Sequence, residues 1–193
     1  PYAPVGRIPV TEVFPVVEDG RWPAKAVPGE VMPIRATVFR EGHDSFGATA
    51  VLVRPDGTDG PRARMVEILP GLDRYEARLA PDAPGDWGLR VEGWSDPYAT
   101  WAHAAGIKVP AGVVLMLEEG ARVLDRAAAL PGRDPDDAAI LARAAERLRD
   151  ESLPDGERLD AGLADAVVEV LDRLPLRDHV SPSATYPLQV DRE

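Results

Sequence analysis

The fold turns on Gly85-Asp86-Trp87-Gly88-Leu89-Arg90-Val91-Glu92-Gly93-Trp94-Ser95-Asp96-Pro97. Trp87, Leu89 and Val91 alternate there with Gly88, Arg90 and Glu92, the period-two pattern of a strand with one buried face. At Pro97 the texture changes. Residues 1–96 hold 12 of the 20 prolines and 11 of the 17 glycines, and their β-prone runs are short. Ile8 to Val17, interrupted by Pro9 and Pro15, reads as an edge strand. Val31 to Arg40 alternates Ile34, Ala36 and Val38 against Arg35, Thr37 and Phe39. Ala48 to Arg54 is closed by the turn Pro55-Asp56-Gly57. Arg64 to Leu69 and Tyr75 to Leu79 follow, separated by Pro70-Gly71-Leu72-Asp73. Strands at about ten-residue spacing predict an antiparallel β-sandwich of immunoglobulin-like kind.

Beyond Pro97 the period becomes helical. Val113, Leu117, Ala121, Leu124 and Ala128 make one apolar stripe. Asp134-Pro135 is a helix start, with Asp at the N-cap and Pro at the first helical position, and Leu141, Ala144, Ala145 and Leu148 form the face that follows. A third helix opens at Asp155 and Glu157, carries Leu159, Leu163, Ala166 or Val167, Val170 and Leu174 inward, and ends at Pro175. Three helices with one stripe each predict a small bundle. Residues 97–109 fit a helix or an extended segment. Tyr186 to Asp191 reads as a strand that returns to the sandwich. The expected fold is therefore α+β: a sandwich over 1–96 completed by a return strand within 184–193, and an inserted helical bundle over 97–183.

Composition narrows the function classes. The chain has 193 residues and no cysteine, which excludes disulfides, cysteine-ligated zinc and a cysteine nucleophile. It is too short for a complete (β/α)8 barrel, which takes about 250 residues. A net charge of −11 argues against nucleic acid as a partner. The longest apolar run, Val113 to Leu117, is far short of a membrane span. The N-terminus has no apolar signal region, so a cytoplasmic location is expected. The chain begins at Pro1 rather than Met, so its numbering is expected to start at an internal point.

The candidate chemistry is sparse. His43, His103 and His179 have no metal-ligand spacing, so no metal or cofactor is expected. Glu118-Glu119 occupies adjacent helical positions that face different directions. Asp134-x-Asp136-Asp137 resembles half a calcium loop, but helix-start acidity explains it better. The nucleophile-elbow, phosphate-loop and dinucleotide motifs are missing. Arg40, His43 and Asp44, in the loop after a strand, are a candidate binding or interface group. Trp22, Trp94, Trp101 and His103 form a second group, suited either to stacking on sugar rings or to sealing an interface. No catalytic residue is assigned.

Several blocks carry a resemblance. They are Gly6-Arg7-Ile8-Pro9-Val10, Pro23-Ala24-Lys25-Ala26-Val27-Pro28-Gly29-Glu30, Ala36-Thr37-Val38-Phe39-Arg40-Glu41-Gly42-His43-Asp44, Trp94-Ser95-Asp96-Pro97 with Thr100-Trp101-x-His103, Ile107-Lys108-Val109-Pro110-Ala111-Gly112, Leu117-Glu118-Glu119-Gly120-Ala121-Arg122 and Leu176-Arg177-Asp178. Across essentially the whole chain they resemble the N-terminal region of the bacterial α-1,4-glucan:maltose-1-phosphate maltosyltransferases, relatives of glycoside hydrolase family 13. The resemblance implies a full-length enzyme that transfers maltosyl units from α-maltose 1-phosphate to an α-1,4-glucan by a retaining double displacement. Its catalytic carboxylates belong to a barrel downstream, so none carries over, and the chain alone is expected to be inactive. The resemblance further implies a β-sandwich with an inserted bundle that helps form a homodimer. The expected partners are the enzyme's own catalytic domain and a second copy, with α-glucan and maltose 1-phosphate engaged through the whole enzyme. The alternative function is an α-glucan-binding module.

Overall fold

The computed structural model describes residues 8–40 and 42–192. Gly6 and Arg7, Glu41 within the 36–44 block, and Glu193 of the expected return strand lie outside the described residues. The chain forms two compact units: one runs up to Ser95 and resumes at His179, the other spans Asp96–Asp178.

The first unit is built on two sheets. Its strands are β1 (Val10–Phe14), β2 (Ala24–Ala26), β3 (Met32–Val38), β4 (Phe46–Val53), β5 (Asp59–Arg64), β6 (Val66–Leu69), β7 (Arg74–Leu79), β8 (Gly85–Ser95), β9 (Asp178–Pro182) and β10 (Tyr186–Val190). One sheet has the order β1-β3-β7-β6, the other β2-β10-β8-β4-β5, with β9 also paired to β8. The pairs β1–β3, β3–β7, β6–β7, β4–β5, β4–β8 and β8–β10 run antiparallel. β2 runs parallel to β10, with Leu188 opposite Ala24, which corrects the expectation of a wholly antiparallel arrangement. The physical reason is connectivity: β10 reaches this edge after the whole helical segment, so no hairpin fixes its direction.

The alternation expected for β3 holds, since Ile34, Ala36 and Val38 are fully buried. They share one apolar cluster with Ala48, Ala50 and Leu52 of β4, Leu89 and Val91 of β8, and Leu188 and Val190 of β10. The Pro55-Asp56-Gly57 turn forms as expected: Asp56 Oδ1 accepts from Thr58 N at 2.9 Å, and Gly57 takes φ +86°. β2, β5 and β9 had no strand assignment from the sequence. β2 is three residues long, β5 carries Pro61 and two glycine-or-aspartate positions, and β9 has no apolar face.

The second unit contains α1 (Pro97–Lys108), α2 (Leu115–Ala128), α3 (Pro135–Arg149), α4 (Asp155–Gly162) and α5 (Asp165–Arg173). Asp96 decides the open case at 97–109 in favour of helix: its side chain accepts from Ala99 N, and Pro97 sits at the first turn. Asp134 caps α3 through Asp136 N and Asp137 N, as expected. The single helix expected from Asp155 to Leu174 is instead two. α4 ends at Gly162, whose otherwise unpaired last-turn carbonyl accepts from the Tyr98 hydroxyl at 3.0 Å, and Ala164 takes an extended backbone before α5 begins. The unit's core joins Trp101, Leu117, Ala121, Leu124, Leu141, Leu148, Val167 and Val170.

Candidate functional site

Arg40 leaves β3 and reaches two partners. Nη1 donates to Ser95 Oγ at 2.8 Å, and Nη2 meets Asp44 Oδ2 at 3.3 Å. The Arg40 side chain is 15% exposed and Asp44 61%, so the pair is anchored at its arginine end. Arg40 ties the loop to the last residue of β8 and brings Asp44 with it. His43 lies beside them, exposed, after Gly42 at φ +110°. The structure thus joins Arg40 and Asp44 but gives His43 no hydrogen bond or ion pair among the described residues.

The four tryptophans divide sharply. Trp94 is fully buried; its Nε1 donates to Thr49 Oγ1 at 3.0 Å, and the Arg64 guanidinium lies 5.1 Å over the ring. Trp101 is also interior, with Nε1 donating to Met116 O at 2.7 Å and the Tyr98 ring 5.8 Å away. These two offer no surface for stacking. Trp87, expected in the core, is buried and donates to Ala83 O at 2.9 Å. Trp22 differs: it is 55% exposed, follows the 3-10 turn Glu18–Gly20, and donates Nε1 to Glu18 Oε2 at 3.1 Å. His103 is exposed on α1, apart from the Trp101 ring's interior partners.

The electrostatics are those of paired surfaces. Hydrogen bonds from Arg149 and then Arg122 hold the Glu118 carboxyl below its usual range, against the opposing effect of desolvation. The Arg173 guanidinium does the same for Asp137. Burial, reinforced by Asp96 and Asp172, pushes the Tyr98 phenol up to about 12. It stays protonated and keeps its bond to Gly162 O. Among the described residues no group of three or more His, Asp or Glu is disposed to hold a metal ion. No helix among them is long and apolar enough to cross a membrane.

Three residues escaped the sequence reading. Gly120 and Gly162 form the slot for Trp101; a Cβ at Gly120 would overlap the indole, and one at Gly162 would stand 2.8 Å from it. A glycine inside the helical stripe at Gly120 was the available signal. Tyr186 packs against Gly20, where a Cβ would lie 2.9 Å from its Cδ1. No sequence signal links residues so far apart.

Comparison with known proteins adds a family. Residues 6–192 match the family model described as α-1,4-glucan:maltose-1-phosphate maltosyltransferase, domain N/S. The chain is 54% identical over 191 residues to α-1,4-glucan:maltose-1-phosphate maltosyltransferase 2 of Streptomyces coelicolor, covering 98% of this chain and 28% of that protein. It is 42% identical over 194 residues to the maltosyltransferase of Arcanobacterium haemolyticum, again 28% of the relative. The maltosyltransferase of Mycolicibacterium smegmatis is 39% identical over 222 residues, with 97% of this chain and 31% of the relative aligned. The chain thus spans under a third of the curated relatives it matches, and it belongs to the domain N/S family of the α-1,4-glucan:maltose-1-phosphate maltosyltransferases.

Proposed function

We propose that the chain is the non-catalytic N-terminal module of an α-1,4-glucan:maltose-1-phosphate maltosyltransferase. The observation that carries this reading is the asymmetry of the alignments: 98% of the chain matches 28% of the Streptomyces coelicolor enzyme. In this reading the full-length protein is a cytoplasmic homodimer related to glycoside hydrolase family 13. It transfers maltosyl from α-maltose 1-phosphate to α-glucan, and the module supports the catalytic barrel and contributes to dimerisation. The β unit is an immunoglobulin-like sandwich, with the segment 97–183 inserted as a helical domain. Two sheets sharing one apolar cluster support the sandwich. The exposed loop around Arg40, His43 and Asp44 is the candidate contact with the barrel or the second copy.

Phosphate release from maltose 1-phosphate with a glycogen acceptor tests the assignment. The full-length protein is expected to release phosphate and the 193-residue chain none. A full-length protein without release removes the assignment. Sedimentation of the full-length protein with Arg40 and His43 changed to alanine tests the loop. A weakened dimer or lowered activity is expected, and neither changing would remove the loop from the interface.

A further inference from the structure

We propose that the Trp22–Tyr186 edge of the β unit is a surface site for α-1,4-glucan chains. The inference rests on the reading above that the whole enzyme works on α-glucan. The turn before Trp22 is unusual: Glu18, Asp19 and Gly20 take φ of 47°, 54° and 87° in succession. Left-handed backbone at two non-glycine residues costs free energy, and such strain collects at functional sites. What the turn accomplishes is presentation of one indole. Among the tryptophans Trp22 is 55% exposed, while Trp87, Trp94 and Trp101 are 4%, 0% and 5%. Its ring is held by the Nε1 bond to Glu18 Oε2 and by the Val17–Trp22 bridge.

Tyr186 brings a second aromatic to the same edge. It packs on Gly20, and it stands two residues before Leu188, as Trp22 stands two before Ala24, the parallel partner of Leu188. The polar groups around the rings suit a neutral polyhydroxylated ligand. The Arg21 guanidinium lies 5.9 Å from the centroid of the Trp22 ring and Glu18 Oε2 accepts from its Nε1, so a guanidinium donor and a carboxylate acceptor border the half-exposed indole. A pyranose offers an apolar C–H face to an aromatic ring and hydroxyls to such groups at its rim. The chain's net charge of −11 disfavours an anionic ligand. The exposed apolar side chains joined at this edge, Trp22 and its bridge partner Val17, fall short of the about 800 Å² per side that a protein partner of ordinary affinity needs.

The test uses the 193-residue chain, in which Trp22 dominates the quencher-accessible tryptophan emission. Maltoheptaose is expected to shield this emission from acrylamide, cellohexaose is not, and glycogen in a native gel is expected to retard the chain. Trp22→Ala should weaken glycogen affinity at least about tenfold, with an unchanged circular dichroism spectrum and melting temperature. Trp22→Tyr should recover part of that loss. Absence of shielding and retardation overturns the proposal, as does retardation that Trp22→Ala leaves intact. A change of oligomeric state on Trp22→Ala with no effect of glucan also overturns it and assigns the edge to a second copy. These outcomes are separate from phosphate release by the full-length protein, which tests the assignment alone.

Discussion

Side chains that the sequence marks as functional candidates turn out to do different work. Trp94 and Trp101 each serve an interior, and their N–H groups are satisfied by Thr49 Oγ1 and Met116 O. A buried indole needs such a partner, because its unpaired N–H would carry the full desolvation cost. Trp101 also needs room, and Gly120 and Gly162 supply it. Gly120→Ala drives a methyl group into the indole from a helix backbone that cannot retreat. The expected cost is about 1–3 kcal/mol or more by overpacking, read as a lower urea midpoint at unchanged m-value. A midpoint equal to that of the unchanged chain would show that the slot is looser than the geometry indicates. Arg133 is a half-buried case: it donates to Ala127 O and Val170 O, leaves Nη2 buried and unpartnered, and has its pKa lowered chiefly by desolvation.

Elements are decided by caps and breaks as much as by periodicity. α1 exists because Asp96, only 6% exposed, accepts from Ala99 N at 2.9 Å while Pro97 pre-sets the first turn. Asp96→Ala is expected to cost about 1–2 kcal/mol and to fray the start of α1, seen as lost protection of the first amides in hydrogen exchange. Asp96→Asn keeps the cap acceptor and should retain most of the stability. Equal losses in both variants would mean the carboxylate charge, rather than the cap, holds the helix start. The division between α4 and α5 shows the converse, a break that no proline or periodicity announces. The carbonyl that the break leaves free at Gly162 accepts from Tyr98, 64 residues away in sequence. β6 is a third lesson: at the edge of its sheet, Val66, Ile68 and Leu69 are all exposed, so an apolar run was rightly a strand without being core.

At the scale of the whole molecule, acidity sets the response to pH. Glu76 is held below its usual range by Arg35 and Arg78, Glu118 by Arg149 and Arg122, Asp82 by Arg54, and Asp137 by Arg173. A carboxyl whose pKa is depressed in the folded state adds stability that is fully present above its unfolded value, 4.5 for Glu and 3.8 for Asp. That stability is lost as pH falls through the lower folded value. The melting temperature is therefore expected to fall on acidification below those values, where protonation also removes the surface pairs. Glu118→Gln should flatten part of that acid limb while lowering stability slightly at pH 7. A melting profile with the same acid slope in Glu118→Gln would place the sensitivity in other carboxyls. The residues of 1–96 carry −4 and those of 97–193 carry −7, so most of the excess negative charge lies in the C-terminal half.

What the sequence determined by itself was local and periodic. The change at Pro97, the alternation of β3 and β8, the Pro55-Asp56-Gly57 turn, the cap at Asp134 and the resemblance blocks all depend on near neighbours, and they were legible; the cap at Asp96 was not read, and residues 97–109 stayed open between helix and extended segment. Of the candidate site residues, Arg40, His43 and Asp44 were grouped by their shared loop, but the partner of Asp44 was not legible: it pairs with Arg40 four residues before it. Only the tertiary structure decided which tryptophan faces water, that β2 pairs in parallel with β10, that Tyr98 satisfies the last carbonyl of α4, and that Tyr186 meets Gly20. Each of these depends on contacts between residues distant in sequence, and burial, unlike periodicity, is a property of the packed whole.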